Sequence, residues 1–382
     1  MQALVFDKSK FAWEDSKGFE KVEVPTPVID EKKNPEDAHA VIIQVRFAGV
    51  CGSDRGIWYR TAFKDYILNS LEAEKKNIRI IGHEFFGEVK AIGSKVRNVK
   101  PGDPVTCESH VICEKCFQCI HGQSNVCTNQ KILGISYDGG FAEFIKVPQH
   151  IVWLTDMTKI TRPEIAAMQE PFGNSVHAAS KVDLKGKTVV IFGLGPTGSF
   201  LVLIARGMGA KTIIGVDIDD KALKMGRELG VDHLIKLEKK NDPKDYHHDQ
   251  EVINEIIKLV PGGVDVAFEM AGFNDSVNNA IASVRFGGDV ILFGVKNEDF
   301  AFESFNSMVM RGITLHAVAG RKIWGTWEIT RRLLEDQTNS IQDKLWNVLL
   351  EGGDGTILPF HDYTKEEFER RMLAHSKILM KF

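Results

Sequence analysis

Four cysteines stand close together in one part of the chain, and their spacing limits what this region can fold around. They are Cys113, Cys116, Cys119 and Cys127. Four thiolates this near in sequence can surround one tetrahedral metal ion, and zinc favours such an all-sulfur cage at structural sites. The spacing therefore predicts a structural zinc site in a lobe that spans residues 107–128.

Two alternatives to zinc remain open from the residues alone. Disulfides are the usual use of cysteine in secreted chains, but the stretch from Met1 to Asp7 lacks the basic and apolar regions of a signal peptide. An iron–sulfur cluster is the second alternative. The bacterial ferredoxin motif has three residues before its last cysteine and a proline after it, whereas here the gap is longer and Thr128 follows Cys127.

The bulk composition indicates an ordinary globular protein. A chain of 382 residues is long enough for two domains, and its 43% hydrophobic and 26% charged residues are typical of globular proteins. The net charge of −4 gives no sign of nucleic-acid binding. The apolar stretch 189–205 is interrupted by glycines and a proline, so it predicts no membrane span. Because an export signal is absent, we expect a reducing, cytoplasmic setting and neither nucleic acid nor membrane as a partner.

The second half of the chain alternates between apolar strand candidates and helical stretches. The strand candidates are residues 188–192, 212–217, 232–235, 264–269 and 289–293. Such alternation predicts an α/β fold with a doubly wound parallel sheet. The first part, up to about Glu170, is instead rich in short strand candidates and turns, which predicts a β-rich domain.

A glycine-rich turn between a strand and a helix points to a dinucleotide. Gly193, Gly195 and Gly198 have the spacing that makes a tight turn, lets a pyrophosphate approach the backbone and packs the helix closely on the strand. Asp217 ends the next strand candidate, 19 residues after Gly198, where a carboxylate can bind the ribose hydroxyls and repel a 2′-phosphate. Ile218 stands where an arginine would favour NADP, so the sequence predicts NAD.

A cysteine and a histidine in two further glycine-containing motifs predict a second metal site. Cys51 lies in the motif 49–54 and His83 in the motif 82–87. Either residue alone is more often a packing residue than a ligand. Both are good zinc ligands, and they occur in a chain that also has the four-cysteine lobe and the glycine turn. The combination predicts a catalytic zinc.

These motifs together resemble the zinc-dependent medium-chain alcohol dehydrogenase family over nearly the whole chain. The resemblance implies a Rossmann doubly wound parallel sheet and a GroES-like β-rich catalytic domain. It places the catalytic domain at residues 1–172, the NAD-binding domain at 173–317 and a return to the catalytic domain at 318–382. It also implies one catalytic and one structural zinc per chain, and a homodimer or homotetramer.

The resemblance also assigns roles to further residues. Glu170 would be the third ligand of the catalytic zinc, and Glu84 a fourth candidate that binds directly or when water leaves. Asp54 would orient His83, and Ser53 would take the substrate's hydroxyl proton. Further cofactor contacts are expected from Pro196, Thr197, Phe293, Gly294, Val295, Val318, Ala319 and Arg321, the last near the phosphates.

Within the family, the threonine and polyol dehydrogenase branches are the most similar. Residues 108–110, 171–177, 320–321 and 326–327 match the threonine branch. The resemblance thus implies hydride transfer from a secondary alcohol on a small polar substrate to NAD. Threonine-type substrates come first, a polyol or sugar such as sorbitol, butanediol, inositol or glucose second, and a non-catalytic nucleotide-binding protein is a remote alternative.

Two departures from this pattern concern the substrate side. The branch carries a relay histidine where this chain has Gly56, so solvent or another residue, with His110 as a candidate, must receive the proton. The segment 55–80 is longer than expected and contains Trp58, Tyr59, Arg60, Phe63 and Tyr66. It could stack on a sugar ring or bind an anion, or it could pack against a neighbouring subunit.

Overall fold

The β-branched runs seen in the sequence form the central strands of the sheets in the computed structural model. The structure describes residues 1–240, 242, 245–295 and 299–382. The first of two units comprises Met1–Pro171, Leu334–Gln337 and Leu345–Phe382, and the second comprises Phe172–Leu333 and Thr338–Lys344. Among the described residues, none of the helices has the length and apolarity that crossing a bilayer requires.

The strands of the described chain are short except near the centres of the two larger sheets. In chain order they are β1 (Gln2–Asp7), β2 (Glu20–Glu23), β3 (Ala40–Gly49), β4 (Ile78–Ile80), β5 (Glu84–Ile92), β6 (Pro104–Cys107), β7 (His110–Val111), β8 (Lys131–Ile132), β9 (Phe144–Pro148), β10 (Val152–Leu154), β11 (Thr188–Phe192), β12 (Thr212–Asp217), β13 (His233–Lys236), β14 (Val264–Glu269), β15 (Val284–Leu292), β16 (Thr314–Ala317), β17 (Ile357–Pro359) and β18 (Leu379–Lys381).

The α-helices are α1 (Gly52–Trp58), α2 (Lys64–Ala73), α3 (Phe117–Ile120), α4 (Pro163–Ala166), α5 (Gln169–Ala179), α6 (Pro196–Gly207), α7 (Asp220–Leu229), α8 (Gln250–Leu259), α9 (Asn274–Ser283), α10 (Phe305–Met310), α11 (Gly325–Glu335), α12 (Ile341–Lys344) and α13 (Lys365–Ala374). Short 3₁₀ turns and one π-turn at Leu345–Leu349 complete the described elements.

Strand β3 organises the first unit. Within the described residues a seven-stranded sheet has the order β10-β6-β5-β3-β18-β17, with β9 also paired to β3. Alternate residues Val41, Ile43 and Val45 of β3 are buried in the core of this unit. At its end, Gly49 lies opposite Glu84 of β5 and Leu379 of β18. This register brings the residues that follow β3, begin β5 and precede β18 to one place.

The long segment 55–80 packs onto the core of its own unit. Trp58 is fully buried and stacks on Phe368 of α13 with ring centroids 4.9 Å apart. Arg60 donates to the carbonyl of Gly18 at 2.8 Å and to other backbone carbonyls, and lies over the ring of Phe6 at 4.8 Å. The guanidinium of Arg60 is therefore used within the fold, and neither Trp58 nor Arg60 is displayed for a sugar ring, an anion or a second subunit.

A buried arginine ties the end of this segment to a neighbouring loop. Arg79 is fully buried, and its guanidinium contacts the carboxylates of Glu74 and Asp138 at 3.0 Å each. The next residue, Ile80, donates its N–H to Asp138 at 3.3 Å. Because His83 follows three residues later, the network anchors the approach to a predicted metal ligand.

The second unit contains the doubly wound sheet that the alternating pattern predicts. In the described part of this unit, six strands have the order β13-β12-β11-β14-β15-β16, and every pair is parallel. The strand order reverses between β11 and β14. The connections that follow these two adjacent parallel strands therefore lead toward opposite edges of the sheet. Dinucleotides bind at such a reversal, outside the carboxyl ends of the strands. The predicted α/β fold class is confirmed.

The stretch after β16 belongs to the second unit for longer than the predicted boundary at residue 317. Residues 318–333 belong to the same unit as residues 172–317. His177 Nδ1 lies 2.8 Å from the carbonyl of Gly320, and Arg321 donates to Asn174 at 2.8 Å. These side-chain contacts hold the stretch against the second half of α5, and the chain rejoins the first unit at Leu334–Gln337 and from Leu345 onward.

Candidate metal centres and dinucleotide site

Three predicted ligands of the catalytic zinc lie together in the first unit. Cys51 precedes α1, and His83 directly precedes Glu84, the first residue of β5. One ligand atom from each of the three residues lies within 4.8 Å of the other two. His83 and Glu84 are buried, and Cys51 is half-buried. The cluster arises because β3 and β5 pair with Gly49 opposite Glu84.

Asp54 and Ser53 contact this cluster from the first turn of α1. Asp54 Oδ2 accepts from the N–H of Cys51 at 2.9 Å, and its Oδ1 lies 3.6 Å from His83 Nδ1. Ser53 Oγ lies 3.4 Å from His83 Nε2. Burial raises the pKa of Asp54 to about 6, although His83 and the N–H of Cys51 oppose that rise. Burial alone would lower the pKa of His83, but Asp54 and Cys51 raise it well above its ordinary value.

A buried lysine without a distinctive sequence pattern lies beside this cluster. Lys377, just before β18, forms an ion pair with Glu84 Oε2 and donates to the carbonyl of Val50 at 3.0 Å. It is 2% exposed. Burial would lower its pKa, but Glu84 and Cys51 raise it above the ordinary lysine value. The only sequence signal is a lysine at the start of the apolar run that forms β18.

Glu170 lies outside the group of three but within electrostatic reach of it. Its side chain is buried, and its charge contributes to the raised pKa of His83. Glu84 Oε1 has no hydrogen-bond partner among the described residues. The cluster thus offers one thiol, one imidazole and a carboxylate oxygen, which is the donor set of a catalytic zinc with an open position. These residues fit the metal.

The four cysteines of the lobe converge as the spacing predicts. The Sγ atoms of Cys116 and Cys119 are 3.5 Å apart, those of Cys116 and Cys127 are 3.7 Å apart, and those of Cys113 and Cys127 are 3.5 Å apart. A tetrahedral zinc with Zn–S bonds of about 2.3 Å requires sulfur–sulfur distances of about 3.8 Å. A disulfide requires about 2 Å, so the arrangement matches a metal cage.

The pKa values of the thiols in the lobe also favour a bound cation. The backbone N–H of Cys119 lowers the pKa of the Cys116 thiol to about 5, whereas burial raises that of Cys119 to about 12. Asn129 donates its N–H to Cys127 Sγ at 3.4 Å. Four adjacent thiols with such different pKa values do not all ionise unaided, and a bound zinc would hold all four as thiolates.

The glycine turn of the second unit has an open approach for a phosphate. Gly193 has a φ of +94°, which favours glycine, and a Cβ on Gly198 would lie 1.9 Å from the carbonyl oxygen of Gly193. A Cβ on Gly195, in contrast, would meet nothing within 4 Å. Pro196 begins α6, whose first N–H groups have no partner within the helix. The turn fits a pyrophosphate at the helix N-terminus.

The other predicted cofactor residues lie at the same carboxyl edge of the sheet. Asp217 ends β12, and its Oδ2 accepts from the N–H of Leu194 at 2.6 Å. The residues that follow β15 and β16 are Phe293, Gly294, Val295, Val318 and Ala319. Arg321 is 1% exposed, and its guanidinium donates to Asn174 Oδ1 at 2.8 Å.

The structure explains why a relay histidine is absent. Gly56 lies within α1, and a Cβ added there would come within 2.8 Å of the Cβ of Ala62. A histidine would therefore require the start of the long segment to move. The candidate substitute, His110, has its Nδ1 3.0 Å from the buried carboxylate of Glu108. Ser53 itself is half-buried rather than enclosed.

Known proteins agree with this geometry. A family model of the alcohol dehydrogenase GroES-like domain matches residues 37–157, and a model of zinc-binding dehydrogenases matches residues 196–336. The L-threonine 3-dehydrogenase of Symbiobacterium thermophilum is 35% identical over 81% of this chain and 82% of its own length. The chain belongs to the zinc-dependent medium-chain alcohol dehydrogenase family.

Further comparisons extend the likeness along the whole chain. The L-threonine 3-dehydrogenase of Bacillus subtilis is 31% identical over 91% of this chain and 89% of its own. The solved structure of the alcohol dehydrogenase TADH from Thermus sp. ATN1 superposes with a TM-score of 0.79 at 22% identity, covering 100% of this chain and 99% of that one. The predicted family, the enzyme class and the cofactors zinc and NAD are confirmed, as is a small alcohol as the class of substrate.

The two zinc sites should respond differently to loss of a ligand. Cys113→Ser opens the structural cage, so we expect the loss of one zinc per chain and about 3 kcal/mol of stability, which is roughly 6 to 12 °C in melting temperature. Cys51→Ser should lose the other zinc and the activity with little change in melting. Metal analysis by mass spectrometry and calorimetry measure both effects.

Cys107 supplies the control for these variants, because it is buried and belongs to neither group of ligands. Cys107→Ser should retain both zinc ions. A Cys113→Ser protein with two zinc ions and an unchanged melting temperature would contradict the assignment of the lobe.

Proposed function

We propose that this enzyme oxidises the secondary alcohol of L-threonine, or of a closely similar small polar substrate, and passes the hydride to NAD. The observation that carries the proposal is the cluster of half-buried Cys51 with buried His83 and Glu84, beside Lys377. Two relatives named L-threonine 3-dehydrogenase support the choice of threonine, because the match extends over more than four fifths of their length.

The residues around the cluster supply the parts that such an oxidation needs. A zinc ion held by Cys51, His83 and either Glu84 or Glu170 would act as a Lewis acid and lower the pKa of the substrate hydroxyl. NAD bound at the glycine turn would accept the hydride. Asp54 Oδ1 lies 3.6 Å from His83 Nδ1 and would orient the ring once the two atoms approach to hydrogen-bond distance.

Ser53 is the proposed acceptor of the hydroxyl proton. Its Oγ lies 3.4 Å from His83 Nε2, so it reaches the ligand side of the imidazole. Because Ser53 is half-buried and the adjacent Gly52 is exposed, the proton can leave directly to water. A relay histidine at position 56 is then unnecessary, and His110 stays bound to Glu108.

A polyol or sugar substrate is the second candidate. The departure at Gly56 removes a group that the threonine and sorbitol enzymes share, so it counts against both of these substrates and leaves another polyol or a sugar open. Trp58 and Arg60 pack inward and offer no sugar platform, whereas Tyr66 of the same segment is 63% exposed. Threonine remains the first choice because of the relatives named L-threonine 3-dehydrogenase.

We also propose a homodimer or homotetramer in a cytoplasmic setting. Support for the oligomer comes from one edge of the second unit, where β16 is the last strand of the sheet among the described residues. Val309 and Met310 of α10, which precede it, are 55% and 80% exposed. An edge strand flanked by exposed apolar side chains favours association with another chain.

The substrate is tested by following NADH absorbance with zinc-replete protein and a panel of alcohols. The panel holds L-threonine, 2,3-butanediol, sorbitol, xylitol, inositol and glucose. We expect kcat/KM for L-threonine to exceed every other value by at least about tenfold, which corresponds to about 1.4 kcal/mol of transition-state binding. A clear preference for a polyol or sugar would replace threonine, and NAD binding without turnover of any alcohol would contradict the enzymatic role.

The role of Ser53 is tested by separating its hydroxyl from its size. Ser53→Ala should lower kcat by about 10²-fold, as expected for loss of a proton-transfer group, while zinc content and KM change little. Ser53→Thr keeps a hydroxyl and should restore most of the rate. Equal activity in the alanine and threonine variants would show that the proton leaves by another path.

A further inference from the structure

A buried carboxylate stands where the strand order of the second unit reverses. Glu269 is the last residue of β14 and is fully buried. Its neighbour across the reversal is Phe192, the last residue of β11, which Gly193 follows. The carbonyl of Glu269 accepts from the N–H of Phe293, after β15. Glu269 therefore lies between the glycine turn and the loop after β15, at the edge where dinucleotides bind.

One oxygen of this carboxylate has a structural role. Glu269 Oε1 accepts from the N–H of Ala271 at 3.0 Å, from the N–H of Gly272 at 2.6 Å and from Ser276 Oγ at 2.9 Å. These three donors shape the turn between β14 and α9. The turn in turn touches the glycine motif, because a Cβ on Gly193 would lie 3.0 Å from Ala271.

The other oxygen has no such role. Glu269 Oε2 has no hydrogen-bond partner among the described residues, and no described lysine, arginine or histidine forms an ion pair with it. It faces Gly294, where an added Cβ would lie 2.6 Å away. A buried carboxylate oxygen without a donor or a counter-charge is costly. This oxygen lies at a ligand-binding edge of the sheet, which indicates that a bound ligand supplies its missing partner.

We propose that Glu269 belongs to the nicotinamide half of the dinucleotide site and that its negative charge favours the oxidised cofactor over the reduced one. In this strand order the half built on β11 and β12, with Asp217, takes the adenosine. The half built on β14 to β16 takes the other nucleotide, which carries the nicotinamide. This inference rests on the proposed NAD-dependent function and deepens it.

The charge of the ring decides the direction of the effect. The nicotinamide ring of NAD⁺ carries a positive charge, which is lost when the ring accepts a hydride. A carboxylate in a protein interior attracts that charge across several ångströms, whereas it has no comparable attraction for the neutral ring of NADH. Glu269 would thus hold NAD⁺ in place before the oxidation and favour release of NADH after it.

The experiment compares dissociation constants for three ligands by calorimetry: NAD⁺, NADH and ADP-ribose, which lacks the nicotinamide. In Glu269→Gln the amide oxygen can still accept the three hydrogen bonds at Oε1, so the turn is retained and only the charge is lost. In this variant we expect NAD⁺ to bind more weakly and NADH to bind as before, so that the ratio of the NAD⁺ dissociation constant to the NADH dissociation constant rises about tenfold. The affinity for ADP-ribose should stay unchanged.

Asp265→Asn is the matched control, because Asp265 lies on the same strand and pairs with Arg285 at 2.8 Å. Asp265→Asn should leave the ratio of the NAD⁺ and NADH dissociation constants the same as in the unmodified enzyme. Glu269→Asp keeps the charge and should keep the ratio within about threefold. This second variant decides the matter even where Glu269→Gln does not fold, since a tenfold change of the ratio in Glu269→Asp would overturn the proposal.

Other results separate the failures. Equal weakening of NAD⁺ and NADH by Glu269→Gln, or unchanged affinity for both, would overturn the charge discrimination and leave Glu269 a residue of the turn. An unmodified enzyme that binds none of the three ligands would instead overturn the proposed NAD-dependent function itself.

Discussion

The structure depends on a concentration of buried charge in the first unit. The carboxylates of Asp54, Glu84 and Glu170 are each 1% exposed. Burying charges is costly unless opposite charges and hydrogen bonds compensate. Lys377 compensates one oxygen of Glu84, and the raised pKa of His83 shows that the remaining negative potential is strong. A divalent cation held by Cys51, His83 and Glu84 would offset this negative potential locally, so the buried charge favours metal binding at this site.

The surrounding fold is arranged so that these groups can meet. Gly49 leaves room for the carboxylate of Glu84, because a Cβ there would lie 2.4 Å from Glu84 Oε2. Gly82 has a φ of +88° and lies close to the side chain of Phe141, which lets the chain turn just before His83. The second unit uses the same device, since Gly198 packs against the carbonyl of Gly193 and Gly195 leaves the backbone open to a phosphate. Close backbone approaches therefore create both sites.

The structural-zinc lobe and the dinucleotide turn could be predicted from the sequence because both depend on the local spacing of residues. The lobe of Cys113 to Cys127 and the glycine turn are each encoded within a few residues. Lys377 was not found because its partner Glu84 lies 293 residues away, and an isolated lysine before a strand has no distinctive pattern. The sequence predicts possible ligand contacts for Arg60 and Trp58 because their partners in the fold, Gly18 and Phe368, are brought near only by the tertiary structure.

The measurement that tests the account most directly is X-ray absorption at the zinc edge of the purified enzyme. One site with four thiolates and one with a single thiolate plus nitrogen and oxygen donors predict an average of about 2.5 sulfur ligands per zinc, with two zinc ions per chain. A single zinc ion per chain with a sulfur-only shell would mean that Cys51, His83 and Glu84 hold no metal, and the account of the buried charge would be wrong.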